Sequence, residues 1–226
     1  MSGDRVLVIA AHPDDEVLGC GGVIGRHAAA GDAVQIMFLA DGVGARLAAN
    51  PAEIELRRRS ALDAAEELGA LPPMFFSFPD NRLDSVPLLD LVRAVEGVIA
   101  ETAPRRVYTH HAGDLNVDHR RVHQAALTAC RPQTGHSVER IYAFEVPSAT
   151  EWGGAGFGPA FQPDRFVNIA PWLARKHAAL ECYGNELREW PHPRSRDGID
   201  NLARWRGATA GMEAAEAFMT LRHLDR

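Results

Sequence analysis

The run Arg5-Val-Leu-Val-Ile-Ala-Ala11 has no polar face. A half-buried strand alternates apolar and polar positions. A continuous, β-branched run is instead a strand covered on both sides, as in a parallel sheet sandwiched between helices. Ala33-Val-Gln-Ile-Met-Phe-Leu39 repeats the pattern, and shorter versions follow at Phe75–Phe78, Arg106–His110 and Arg140–Phe144, with one more strand predicted at about 165–169. Helical segments are predicted between them. One spans about 17–30 and closes at Gly31-Asp32; a charged, amphipathic one spans about 52–68 and ends at Gly69. A third, over about 86–101, carries Leu89, Val92, Val95 and Ile99 at helical spacing, and a fourth covers about 118–130. Residues 148–163 are rich in Gly and Pro and read as loop, and further helices are expected near 172–183, 198–206 and 212–221. This alternation with short joints predicts an α/β fold: a doubly wound, mostly parallel sheet with helices on both faces. No repeat, low-complexity tract or linker interrupts it, so residues 1–226 read as a single domain.

Charge and cysteine content narrow the function classes. With 24 Lys+Arg against 30 Asp+Glu the formal net charge is -6, and no Lys/Arg block is present, so the electrostatic footprint of a nucleic-acid binder is missing. The three cysteines, Cys20, Cys130 and Cys182, are far apart and form no CxxC pair, which disfavours a disulfide scaffold or a structural zinc knuckle. No apolar run reaches the roughly 18 residues of a membrane span, and the chain passes from Met-Ser-Gly-Asp-Arg straight into a strand-like run with no signal peptide. A cytoplasmic location is expected. A homo-oligomer is compatible with everything in the sequence.

Three polar clusters sit where strands end, the edge at which open parallel sheets build their sites. They are His12-Pro13-Asp14-Asp15-Glu16, Asp80-Asn81-Arg82, and the stretch from His110 through Asp114, Asn116 and Asp118 to His119. An imidazole and two carboxylates within four residues can present two ligands to a divalent metal and leave one carboxylate free. The competing assignment for the acids is capping of the helix that follows. A second ligand source is His119, with His123 one helical turn later; His119 is favoured because it lies nearest the loop and beside Asp118. Gly19-Cys20-Gly21-Gly22 lacks the GxGxxG spacing, since position 24 is Ile, and acids fill the turn before it. Neither a base for Cys20 nor a GxSxG elbow is evident.

Ala11-His12-Pro13-Asp14-Asp15-Glu16, followed by Leu18-Gly19, resembles the signature of the PIG-L/LmbE-like zinc-dependent N-deacetylases, and Asp114-Leu-Asn116-Val-Asp118-His119 resembles its second motif. The resemblance continues through Arg58–Gly69, Pro79-Asp80-Asn81-Arg82-Leu83, His192-Pro193-Arg194-Ser195 and Ala215-Glu216-Ala217-Phe218, and so covers nearly the whole chain. It implies a Rossmann-like sheet, one Zn2+ per chain held by His12, Asp15 and His119, Asp14 as general base, and an N-acetylated amino sugar or small glycoside as substrate. One departure stands out. Several members carry a His, given an auxiliary role at the oxyanion, where this chain has Asn116, which can donate a hydrogen bond but cannot act as a general acid.

The implied chemistry is amide hydrolysis. Three protein ligands leave zinc an open position for water, Asp14 takes the proton as water attacks the acetyl carbonyl, and zinc polarises the carbonyl oxygen. Asp118 is a candidate for orienting His119 or His12; Arg58 and Arg82 are candidates for substrate hydroxyls, and His192 belongs to the same group of substrate-binding candidates. The rivals are a catalytically silent metal- or small-molecule-binding member of the fold, and a metal-dependent hydrolase of another ester or amide. A two-metal phosphatase is disfavoured because no second ligand cluster is visible. With no basic cluster or amphipathic anchor, a soluble small-molecule substrate and no membrane partner are expected, with Trp152, Phe157 and Phe161 available to stack on a sugar or to pack.

Overall fold

The computed structural model describes residues 3–45, 50–154 and 156–225. In chain order the elements are β1 (Arg5–Ala10), α1 (Asp15–Ala29), β2 (Ala33–Ala40), α2 (Pro51–Leu68), β3 (Met74–Phe78), α3 (Leu88–Thr102), β4 (Arg106–His110), α4 (Val117–Ala129), β5 (Arg140–Phe144), β6 (Arg165–Asn168), α5 (Leu173–Glu181), α6 (Arg196–Thr209) and β7 (Ala215–His223). One seven-stranded sheet runs in the order β3-β2-β1-β4-β5-β7-β6. β1 to β5 are mutually parallel, and β7 runs antiparallel to both β5 and β6.

The two-sided burial of β1 is visible residue by residue. Val6, Val8 and Ala10 join a core shared with α1, α2, α5 and α6, whereas Leu7 and Ile9 join a second core shared with α3 and α4. Fully burying a Val, Leu or Ile side chain contributes about 1.5–3 kcal/mol. A polar residue on either face would lose that and strand a polar group. Local signals set the helix limits. The Asn50 side chain accepts hydrogen bonds from Ala52 N and Glu53 N, Pro51 opens α2, and Gly69 closes it in a left-handed conformation at φ 74°.

The expected helix near 212–221 is a strand. Met212-Glu-Ala-Ala-Glu-Ala is rich in helix formers, yet Ala215–His223 pairs with β5 on one side and β6 on the other. Both neighbours offer backbone groups that would otherwise stay unpaired, and long-range pairing outweighs local propensity. A second departure from regularity is the break in α1 at Cys20, at φ -149° and ψ 24°. Glu216 of β7 accepts hydrogen bonds from Gly22 N (2.9 Å) and Val23 N (2.7 Å) just beyond the break, and Lys176 Nζ joins Glu216 to the Leu18 carbonyl. The glycines around the break have a packing role: a Cβ on Gly19 would lie 2.3 Å from the Phe144 ring.

Strand order places the site. β1 leads to β2 on one side of the sheet, while β4 lies on its other side, so the crevice between the carboxyl ends of β1 and β4 is the topological switch point.

Candidate metal centre and active site

The chain leaves β1 through His12-Pro13 and turns sharply at Asp14, whose φ is 124°. For a residue with a Cβ this conformation costs about 1–3 kcal/mol and survives only where its surroundings enforce it. Here Asp14 N donates to Glu16 Oε2 (3.0 Å), and Tyr183 Oη donates to Glu16 Oε1 (2.7 Å). Burial pushes the Glu16 carboxyl up to about 8, against the lowering effect of the Tyr183 hydrogen bond. The acids do not act as ordinary caps: Asp14 makes no side-chain capping bond to α1, and Asp15 Oδ2 accepts from His12 N (2.9 Å).

The turn sends the two aspartates to different partners. Asp15 Oδ2 lies 3.3 Å from His12 Nδ1 and 3.2 Å from His119 Nε2, and ligand atoms of these three buried residues all fall within 4.8 Å of one another. Each imidazole has a carboxylate on its far nitrogen: Asp118 Oδ2 is 2.9 Å from His12 Nε2, and Asp114 Oδ1 is 3.1 Å from His119 Nδ1. Such partners orient the rings so that a metal ion displacing the inward proton would meet a nitrogen lone pair aimed at the centre. Asp118 is itself held by backbone donors Asn81 N (2.7 Å) and Leu83 N (2.9 Å), which tie the loop after β3 to the centre. Asp80 Oδ1 also lies 3.1 Å from His12 Nε2.

Electrostatics follow from this crowding. Burial disfavours a charged His119, but the Asp15 and Asp114 carboxylates prevail and raise it to about 9. Burial likewise opposes the Asp15 charge, but the charged His119 beside it, with hydrogen bonds from His119 and His12, holds its carboxyl well below the usual range. His110, stacked on His119 with centroids 3.9 Å apart, stays neutral because burial and the His119 charge lower it; its Nε2 accepts from Ala11 N (2.9 Å).

Asp15 Oδ1 is buried and has no hydrogen-bond partner. An unpaired buried carboxylate oxygen is costly, and a cation offsets that cost directly. Two imidazoles and a carboxylate are a donor set suited to zinc, so these residues fit a divalent metal.

Asp14 faces the other way. Its Oδ2 lies 3.1 Å from Arg194 Nη1 and 3.6 Å from Arg57 Nη1. Arg57 also donates to the Pro13 carbonyl (3.0 Å) and pairs with Glu186, binding α2 and the segment after α5 to the β1 turn. Burial pushes Asp14 up to about 6, with Arg194 pulling the other way.

A model of the PIG-L family, described as GlcNAc-PI de-N-acetylase, matches residues 7–130. The chain belongs to that family. It is 32% identical over 182 residues to the uncharacterized deacetylase YaiS of Escherichia coli (strain K12), covering 78% of this chain and 88% of the relative. It is 29% identical to the 4-oxalmesaconate hydratase of Pseudomonas putida over 208 residues, 82% of this chain and 75% of that one. Among solved structures, the N,N'-diacetylchitobiose deacetylase of Pyrococcus horikoshii superposes with a TM-score of 0.78 at 18% identity, covering 97% of this chain and 84% of the other, a likeness of fold.

Within the family frame, the other candidates fall at distinct places. Asn116 caps α4, accepting from Asp118 N (2.8 Å), and its Nδ2 donates to Asn81 Oδ1 (3.1 Å). His123 is turned away, its Nδ1 2.8 Å from the His110 carbonyl. His192 sits edge-on to Trp152 (5.5 Å), and Arg82 is exposed in the loop after β3. Arg58 stacks over Phe75 (5.4 Å); the arginine that reaches the site is its neighbour Arg57. One residue along a helix is a rotation of about 100°, and Arg57, Ala61, Ala64, Ala65 and Leu68 form the buried stripe of α2. An arginine inside an apolar stripe was the available signal. Asp114 lies in the second motif but is given its partner only by the fold, and Glu186 carries no sequence signal. Trp152 and Phe157 are about half exposed, at 51% and 47%, whereas Phe161 packs against His111 (5.3 Å).

Proposed function

We propose that this protein is a zinc-dependent N-deacetylase that removes an acetyl group from the amide nitrogen of an N-acetylated amino sugar or small glycoside. The observation that carries this is the divergence of two adjacent acids: Asp15 turns to the two histidines, and Asp14 turns to two guanidiniums. The family description, GlcNAc-PI de-N-acetylase, and the deacetylase names of its relatives support the same reaction.

His12, Asp15 and His119 would hold the ion. When bound, it supplies Lewis-acid polarisation of the acyl carbonyl and acidifies water. Asp14 accepts the proton of the attacking water, and its raised pKa, about 6, suits a base working near neutrality. Arg194 fixes the Asp14 carboxylate in place through Oδ2. Asp118 and Asp114 keep the two imidazoles in register. Asn116 is spent on capping α4 and holding Asn81, which leaves Asp14, once protonated, as the donor to the departing amine. Trp152 and Phe157, each about half exposed, offer aromatic surface to a sugar, although the Arg120 guanidinium lies over the Phe157 ring (4.7 Å).

A second reading rests on Arg57 and Arg194. Guanidinium pairs recognise carboxylates, and one relative is named a hydratase, so hydration of an unsaturated carboxylate is the competing reaction. An acetate-release screen over N-acetylglucosamine, its glycosides and related amino sugars, with metal content measured on the same sample, separates the two. Acetate release proportional to zinc content supports the deacetylase. Hydration of unsaturated dicarboxylates without acetate release overturns it.

A further inference from the structure

At the opposite end of the sheet from His12, where β4 and β5 begin, lies a cavity of about 420 Å³. Arg26 and His27 from the last turn of α1, Arg106 and Arg140 from the starts of β4 and β5, and Arg165 of β6, whose backbone is level with Phe144, line it together with the carboxylate of Asp32. Four guanidiniums in one cavity are unexpected on a chain of net charge -6.

Little in the protein neutralises them. Arg106 is paired with Asp4 (3.1 Å) and lies 3.7 Å from Asp32. The Asp32 carboxylate is already engaged by His27 Nδ1 (2.7 Å) and Asp4 N (2.7 Å). Arg140 Nε donates to His223 Nε2 (3.2 Å), which itself lies 3.5 Å from Asp225 Oδ1. Arg165 rests on an aromatic ring, its Cζ 4.5 Å from the Tyr142 centroid, and its Nε is buried without a hydrogen-bond partner. Among the described residues, no carboxylate lies within 4.0 Å of Arg26, Arg140 or Arg165. A guanidinium held by a ring keeps its terminal N–H groups for an outside acceptor. Solvated surface arginines ordinarily spread apart; like charges gathered in a concave, low-dielectric setting focus a positive potential that draws anions.

We propose that this cavity is a second binding site, taking the phosphate group of a phosphorylated small molecule. The planar fork of arginine matches phosphate oxygens. A cavity of about 420 Å³ exceeds what a lone phosphate needs and falls in the range of small-molecule sites. α1 joins the two ends: Asp15 stands in its first turn and Arg26 and His27 in its last, about 17 Å along the helix.

The test uses inorganic pyrophosphate as probe, titrated calorimetrically at constant ionic strength into the full chain. Pyrophosphate also chelates divalent cations, so D15A is titrated in parallel. The expected result is saturable one-to-one binding, kept in D15A and weakened at least about tenfold in both R140Q/R165Q and R26Q/R140Q. Circular dichroism checks that each variant is folded. R26Q/R140Q, which leaves the Arg165–Tyr142 stack intact, carries the test alone if R140Q/R165Q is not. Absence of saturable binding, its loss in D15A, or its persistence in R26Q/R140Q overturns the proposal.

Discussion

Asp14 and Asp15 are consecutive in the chain and share no partner: Asp14 Oδ2 meets Arg194 Nη1 at 3.1 Å, and Asp15 Oδ2 meets His119 Nε2 at 3.2 Å. The positive φ of Asp14 is what parts them. Substitutions should therefore separate metal retention from catalysis. Asp15→Ala is expected to lose both, since it removes one of three candidate ligands. Asp14→Asn is expected to keep most of the metal and lose activity by about 10²–10⁴-fold, because an amide preserves shape but accepts no proton. Metal content by mass spectrometry beside acetate release checks both; equal metal loss in the two variants would refute the division.

Lys176 and Glu216 form an ion pair with both side chains about 5% exposed. Lys176→Met leaves Glu216 buried without its cation, although Gly22 N and Val23 N still donate to it. A loss of about 3–5 kcal/mol is expected. Lys176→Met with Glu216→Gln should recover part of that, because a neutral amide oxygen still accepts from the α1 backbone. Urea midpoints measure the cycle, and a double variant no more stable than Lys176→Met counts against the pair as the holder of the α1 break.

Gly19 lies where a Cβ would come within 2.3 Å of the Phe144 ring, and Gly22 where one would lie 2.7 Å from Ile169 Cβ. Phe144 is fully buried, so the ring has little room to give. Gly19→Ala should cost about 1–3 kcal/mol through overpacking. Unchanged stability in a denaturant titration would show that α1 can move off the sheet freely.

His27 gives the stability a pH dependence of defined sign. Burial holds it below its usual value despite the hydrogen bond to Asp32. The unfolded chain binds a proton near pH 6.5 and the folded chain at lower pH. Between those two values the unfolded state carries more protons, so stability falls as pH falls. His27→Gln removes this share. The stability gap between the parent and the variant should narrow from pH 7.5 to pH 5.5 in phosphate-free buffer. A gap that widens would mean the folded state holds His27 charged.

The amino-acid pattern alone determined a good deal. A run such as Val6–Ala10 has no polar face, so it must be covered on both sides, and that forces helices onto both faces of a parallel sheet. Polar residues that end such strands gather at one rim, which is how His12, Asp80 and His119 could be grouped before any contact was known. These inferences are local: they depend on periodicity and on where a run stops.

What only the tertiary structure decided depends on residues far apart in the chain. Ala215–His223 is built of helix-forming residues and became a strand because β5 and β6 offered backbone partners on both sides. Arg194 reaches Asp14 across 180 residues, and Asp118 reaches His12 across 106. Arg57 faces the site while Arg58 does not, a choice made by the angle at which α2 docks on its neighbours. Periodicity says which face of an element is buried; only the packing of one element on another says which atoms that face meets.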